Sequence, residues 1–316
     1  AQQQGDDGDG GDEDETGDEE CRTEGIDWEK RHEGFPLYTY DQVSPWLQFD
    51  RFILGGYRSY YNFRQCVLSM FRWHNETLNI WTHLASFLIF LGLFFYTFQS
   101  PSLLGRSQDS DSAHWYDFAV QGMFLVSAMY CFLSSTLYHI FIAHEHYKVY
   151  HLFYSCDMVG ISTMISGSAF PLIYYGHYCD FFWKTLYLSI LTALFVIGFV
   201  LSFIRKFSES PRLLLIRTFF FVVMAVYQVV PAMHWFVITT PYQVRNFFMP
   251  MVGGWGLYTI AFILYFAFIP ERLWPGKFDR VCHSHQLWHI FIFLPALWWW
   301  WNTTQFFLWR TDESNT

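Results

Sequence analysis

"FWKTLYLSILTALFVIGFVLSFI" (residues 182–204) carries a single charge, Lys184, and is followed at once by Arg205 and Lys206. A helix of about 20 apolar residues crosses the hydrocarbon of a bilayer, so this stretch has the length and character of a membrane span. Working outward, six further runs have the same form: about 80–98, 117–142, 156–175, 213–237, 248–269 and 286–308. The third and fifth runs of the chain are interrupted by Ser166 and Ser168, and by Arg217 and Gln228. Polar residues at such depth face a bundle interior rather than lipid. A large soluble all-helical protein is the competing class, and seven runs of this length with connectors this short argue against it. The expected fold is therefore an all-α integral membrane protein, a seven-transmembrane helix bundle.

Composition agrees. The 316 residues are 53% hydrophobic and 22% aromatic but only 15% charged, against about 25% charged in soluble domains. Fourteen of the 28 Asp and Glu residues fall within the first 33 positions. That segment is too poor in apolar residues to offset the entropy of ordering, so 1–34 reads as a disordered acidic tail. The net charge of −9 describes the tail more than the body, and no basic, aromatic stretch is suited to nucleic acid. No basic region followed by an apolar run opens the chain, which argues against a cleaved secretory signal in what is given. The six cysteines, at 21, 66, 131, 156, 179 and 282, contain no Cys-x-x-Cys pair and outline neither a zinc finger nor a disulfide framework.

Lys and Arg near the span ends set the orientation. With the N-terminus cytosolic, the inner side carries Arg51, Arg58, Arg64, Arg72, Lys148, Arg205, Lys206, Arg212, Arg272, Lys277 and Arg280. The outer side then carries only Arg106, Lys184, Arg245 and Arg310. The bias puts the N-terminus in the cytosol and the C-terminus outside. "WWWW" (298–301) then falls at the outer interface, which suits indole rings. Residues 35–79 form a cytosolic or interfacial segment leading into the first helix, 80–308 the membrane domain and 309–316 a short outer tail. Within 35–79, Val67, Leu68, Met70 and Phe71 can form one side of a short helix on the inner surface. A soluble cap would have the same sequence.

"HSHQLWH" (283–289) opens the last span. Residues four apart on a helix are separated by roughly 40° about its axis, so His285 and His289 share a face, whereas His283 points elsewhere. The second span ends in "SSTLYHIF", with Ser135 and His139 again four apart, and the third begins "SCDMVGIS", with Asp157. Three helices thus bring these five residues to similar depth at one side of the membrane. Three imidazoles suit a catalytic zinc with an open fourth position. Asp157 is either a fourth ligand or the base that holds a water, and Ser135 can steady an oxyanion or a ligand. The plainer reading makes the histidines interfacial groups and Asp157 a helix cap. Of the remaining polar residues, Glu76 and His83 read as a structural network, and His144, His146 and His151 as a solvated loop. His234 reads as hydrogen-bonded inside the bundle, while Pro171 and Pro231 lie where they would kink their helices.

At these residues the chain resembles the progestin and adipoQ receptor family. "HNETLNIWTH", "SSTLYH", "CDMVGI", "IPERLWPGKFD" and "SHQLWH" stand in that family's order, from roughly Tyr38 to the end of the last span. The run of motifs favours the adiponectin-receptor branch and its plant heptahelical relatives over the steroid-receptor branch. The resemblance implies seven helices with a cytosolic N-terminus, and a zinc held by His139, His285 and His289. It also implies that Asp157 positions a zinc-bound water, with Ser135 matching the family's serine. Relatives of the haemolysin and alkaline-ceramidase type point to hydrolysis of a ceramide-like lipid amide coupled to signalling. The alternative is a ligand- or lipid-sensing receptor with a structural zinc and no turnover. The expected partners are a ceramide-like membrane lipid, an extracellular ligand of unknown identity and a cytosolic signalling partner, in the plasma membrane or an endomembrane.

Overall fold

A computed structural model describes residues 34–99 and 115–311. The acidic tail, the connector carrying Arg106 and the last five residues lie outside the described residues. The chain opens with a small antiparallel pair, β1 (Tyr38–Thr39) and β2 (Gly55–Tyr57), in which Tyr38 lies opposite Tyr57. Helices α1 (Phe63–Ser69), α2 (Thr77–Gln99), α3 (Trp115–Phe141), α4 (Tyr147–Gly176) and α5 (Phe181–Phe203) follow. After the short α6 (Lys206–Glu209) come α7 (Pro211–Tyr227), α8 (Val229–Ile238), α9 (Pro241–Gln243), α10 (Met249–Ala267) and α11 (Ser284–Thr311).

Among the described residues, six helical stretches are long and apolar enough to cross a membrane: Thr77–Gln99, Trp115–Phe141, Tyr147–Gly176, Phe181–Phe203, Arg212–Ile238 and Pro241–Ala267. The fifth is α7 and α8 run together, interrupted at Gln228. The sixth joins α9 to α10 through a π-helical turn, Val244–Phe248. The expected seventh run is also one helix, α11, with 28 residues. It is not among the six, because His285, Gln286, His289, four tryptophans and the Asn302–Gln305 group dilute its hydropathy.

Small residues set the closest helix contact. A Cβ on Gly160 of α4 would lie 2.7 Å from Ser134 Oγ, and one on Gly167 only 2.2 Å from Ser127 Oγ. Glycine therefore lets α4 approach α3 at two positions two turns apart, as in other membrane helix pairs. Helix α11 packs against α2, α3, α4 and α10. One buried cluster joins four helices, with Phe90, Phe124, Phe132, Met164, Ala296 and Trp300. Arg217, expected to face inward, is 1% exposed and donates to the Tyr154 hydroxyl.

The segment before α2 closes one end of the bundle. Tyr61 N–H donates to Ala143 O, and Glu145 N–H donates to Tyr61 O, so the segment is stitched to the α3–α4 turn. Helix α1 starts in a reciprocal cap between Asn62 and Gln65 and buries Cys66 and Ser69. Its other side exposes Phe63, Val67 and Leu68, with Phe71 and Trp73 beyond. The segment is thus both a cap and an amphipathic surface. His144 corrects the solvated-loop reading: it is 2% exposed, with its ring 4.3 Å from that of Phe63.

Candidate metal centre

The turn of α3 that ends in Phe141 carries His139, and the first two turns of α11 carry His285 and His289. Arg58, buried, donates to the carbonyls of His139 (2.6 Å) and Ile140 (3.3 Å). It occupies the C-terminal end of α3, where a helix presents unpaired carbonyls and negative potential. The start of α11 is held just as firmly. Glu271 accepts from the Ser284 N–H at 2.7 Å and from its hydroxyl. His283 and Gln286 both donate to Asn75 O, at 3.2 and 3.3 Å. His283 therefore faces Asn75 rather than the other histidines, as its position on the helix face required.

Between these anchored ends the three rings meet. Centroids are 5.0 Å apart for His139–His285, and 4.9 Å for both His139–His289 and His285–His289. One ligand atom from each lies within 4.8 Å of the others. His139 and His289 are 2% and 1% exposed. Among the described residues Asp157 does not join that group. Its carboxyl is within electrostatic reach of His139 and of the Ser135 hydroxyl.

Local hydrogen bonds decide which ring nitrogens are available. Carbonyl oxygen only accepts, so the contact of His289 Nδ1 with Asn79 O at 3.2 Å places the proton on Nδ1 and leaves Nε2 a lone pair. Thr82 Oγ1 also lies 3.2 Å from that Nδ1 while giving its own proton to Leu78 O. His139 Nδ1 contacts Glu76 Oε2 at 2.7 Å. Its Nε2 stands 3.2 Å from His285 Nε2, and His285 Nδ1 is buried without a partner among the described residues. Two ligands of a tetrahedral zinc, each at about 2.0–2.1 Å, are separated by roughly 3.3 Å. The donor set and its spacing fit a zinc-like cation. Imidazole nitrogens are also the donors that such an ion prefers.

Helix α2 contributes more than the sequence reading assigned to it. Besides Glu76, Asn79 and Thr82, it brings a fourth imidazole. His83 stacks on His289 with centroids 3.5 Å apart and planes within 9°, and Phe132 meets it edge-on. Both His83 nitrogens are buried without a hydrogen-bond partner among the described residues. The seven-residue spacing of Glu76 and His83 puts them near one helix face; what spacing alone does not give is that this face meets His139 and His289.

Charge is dense around this end. Burial pushes the Asp50 carboxyl up to about 6, assisted by the neighbouring Glu271 carboxylate, although the Phe52 N–H opposes the shift. Burial, then the Arg58 guanidinium, pulls His74 down to about 3. Burial also opposes ionisation of Glu76, but the His139 imidazole and the Asn79 amide hold its carboxyl well below the usual carboxylate range.

Residues 71–300 match the family model described as haemolysin-III related. Progestin and adipoQ receptor family member 3 of Mus musculus is 30% identical over 282 residues, covering 88% of this chain and 88% of its own length. Heptahelical transmembrane protein 1 of Arabidopsis thaliana is 31% identical over 87% of this chain and 82% of its own. The adiponectin receptor protein of Drosophila melanogaster is 34% identical over 81% of this chain, but over only 56% of its own length. With six apolar helices, a family match across most of the bundle and relatives aligned nearly end to end, this chain belongs to the haemolysin-III-related progestin and adipoQ receptor family, and is an integral multi-pass membrane protein.

Proposed function

We propose that the protein is a zinc-dependent amidohydrolase of a ceramide-like membrane lipid. In this reading α11 is the seventh span, the N-terminus is cytosolic and the histidine cluster lies near the cytosolic face. The observation that carries the proposal is the convergence of His139, His285 and His289, with the Nδ1 atoms of two of them engaged by Glu76 and Asn79. Three protein ligands leave one coordination position open, as in hydrolytic zinc sites.

A bound zinc supplies Lewis acidity, bringing the pKa of a bound water to about 7 and polarising a carbonyl. His139, His285 and His289 would hold it. Asp157, outside the ligand group but within electrostatic reach of His139, would orient the attacking water and take its proton. Ser135, which interacts with Asp157, would fix the carboxylate for that task. Water then adds to the amide carbonyl, the C–N bond breaks, and the proton passes to the leaving amine, giving a fatty acid and a long-chain amine. Aromatic rings line one side of the centre, with Tyr265 and Phe49 against His285 at 5.3 and 6.5 Å.

The names of the relatives support a second reading, a receptor or lipid sensor in which the zinc is structural. One experiment separates the two. Protein purified in a defined detergent is assayed for zinc and for ceramide hydrolysis, before and after chelation. Turnover that disappears with the metal and returns with zinc supports the hydrolase. Stoichiometric zinc without turnover in any lipid mixture assigns the protein to the sensor reading.

A further inference from the structure

We propose that Glu76 is the positioning residue of the metal centre, fixing His139 in the tautomer whose Nε2 faces the other histidines. The proposal rests on the zinc reading above. Its own support is geometric. Glu76 Oε2 lies 2.7 Å from His139 Nδ1, within buried surroundings of 6% and 2% exposure. The same oxygen accepts from Asn79 Nδ2 at 2.6 Å. Above the carboxylate, Glu76 N–H donates to His74 Nδ1 at 3.1 Å, so its backbone is held as well as its side chain. An ionised carboxylate only accepts, so the Nδ1 proton stays on His139 and its Nε2 keeps a lone pair. That nitrogen is the one 3.2 Å from His285 Nε2.

Among the described residues, no other group hydrogen-bonds His139 Nδ1. Arg58 holds its backbone carbonyl and leaves ring rotation and tautomer open. Carboxylates bonded to the distal nitrogen of a ligating imidazole raise its basicity and lock its plane, and their loss typically costs about 10–100-fold in metal affinity. Helix α2 would thereby serve the centre without supplying a ligand. Asn79 O orients His289 from the next turn while the Asn79 amide holds Glu76.

The test is metal affinity, read by competition with a chromogenic chelator on the full chain in detergent, with cobalt(II) absorption as a second readout. Glu76→Gln preserves size but can offer its amide N–H to Nδ1, which drives the proton to Nε2 and blocks it. Zinc affinity is expected to fall about 10–100-fold, with a weakened cobalt ligand-field band. Glu76→Asp, which keeps the charge, is expected to recover part of the loss. The control is a His139→Ala background, whose weak residual affinity from His285 and His289, read by chelator competition, Glu76→Gln should leave unchanged. An equal loss in both backgrounds would make Glu76 a support of the fold and overturn the proposal. Wild-type affinity in Glu76→Gln overturns it alone and leaves the zinc reading intact. A wild type that takes up no zinc overturns both.

Discussion

Two histidine pairs in this protein are equally close and chemically opposite. His139 and His285 have ring centroids 5.0 Å apart, and so do His177, just after α4, and His234, within α8. In the second pair the protein supplies a partner to one nitrogen of each ring, while His177 Nδ1 is buried without one among the described residues. His177 Nε2 donates to Pro231 O at 3.1 Å, and His234 Nδ1 contacts the Tyr187 hydroxyl at 3.0 Å. In the first pair the two Nε2 atoms face each other at 3.2 Å, an arrangement that calls for a shared proton or a cation. Proximity of imidazoles does not define a metal centre. What marks the first pair is that unbonded nitrogens of two rings face each other.

The sharpest way to break this contrast is to remove one imidazole at a time. His139→Ala, His285→Ala and His289→Ala should each lower zinc from about one per chain to a small fraction after dialysis, since two protein ligands remain where catalytic sites use three. His234→Ala should leave zinc content unchanged. Equal loss in all four variants, measured by elemental analysis, would erase the distinction between the two pairs.

Next in size is the division of labour around the first pair. Asp157→Asn keeps shape and hydrogen bonding but removes the base. Zinc should stay near one per chain while lipid-amide hydrolysis falls by about 10²–10⁴. Zinc lost together with activity would make Asp157 a ligand, against its position outside the three-histidine group.

Two smaller effects separate packing from charge. Gly167→Ala introduces a Cβ 2.2 Å from Ser127 Oγ, in a helix pair that cannot open without disturbing the bundle. A loss of about 1–3 kcal/mol is expected, as for other overpacked sites, read as a lowered thermal midpoint with zinc present. An unchanged midpoint would mean that Ser127 moves aside freely. The second effect depends on pH. Because the Asp50 carboxyl is raised to about 6 when folded, against about 3.9 unfolded, the native state binds the proton more tightly. Its contribution is complete below about pH 4 and is lost as pH rises through 6. Asp50→Asn, which keeps a donor toward Glu271, should flatten the decline in thermal stability between pH 5 and 7.5, by at most about 1.5 kcal/mol. A parallel decline in both proteins would remove Asp50 as its source.

Length and apolarity made the six spans readable, since no other use of 20 uncharged residues is as economical in backbone hydrogen bonds. The edges were less readable. Helix α4 begins at Tyr147 rather than near 156, because its first turns, rich in Tyr, His and Lys, pack against the cap instead of lipid. The break at Gln228 and the π turn before α10 also have no periodic signature. In the candidate centre, the i, i+4 pairs identified His285 with His289 and Ser135 with His139. The contribution of α2 was misjudged because Glu76 and His139 are 63 positions apart, and only helix arrangement in the plane joins them. His144 was misread for a similar reason. A short polar connector looks wet until a segment 80 residues earlier is seen folded over it.

The placement of two candidate ligands on α11 has a consequence for biosynthesis. Translation proceeds from the N-terminus, and helices enter the fold in order. When α2, α3 and α4 are already in place, the nascent protein offers only one of the three clustered histidines, His139, beside a waiting carboxylate. His285 and His289 arrive only with the last helix. On the zinc reading, a chain cut short anywhere before Ser284 would lack two of its three ligands, and metal uptake would report that the last helix has been made.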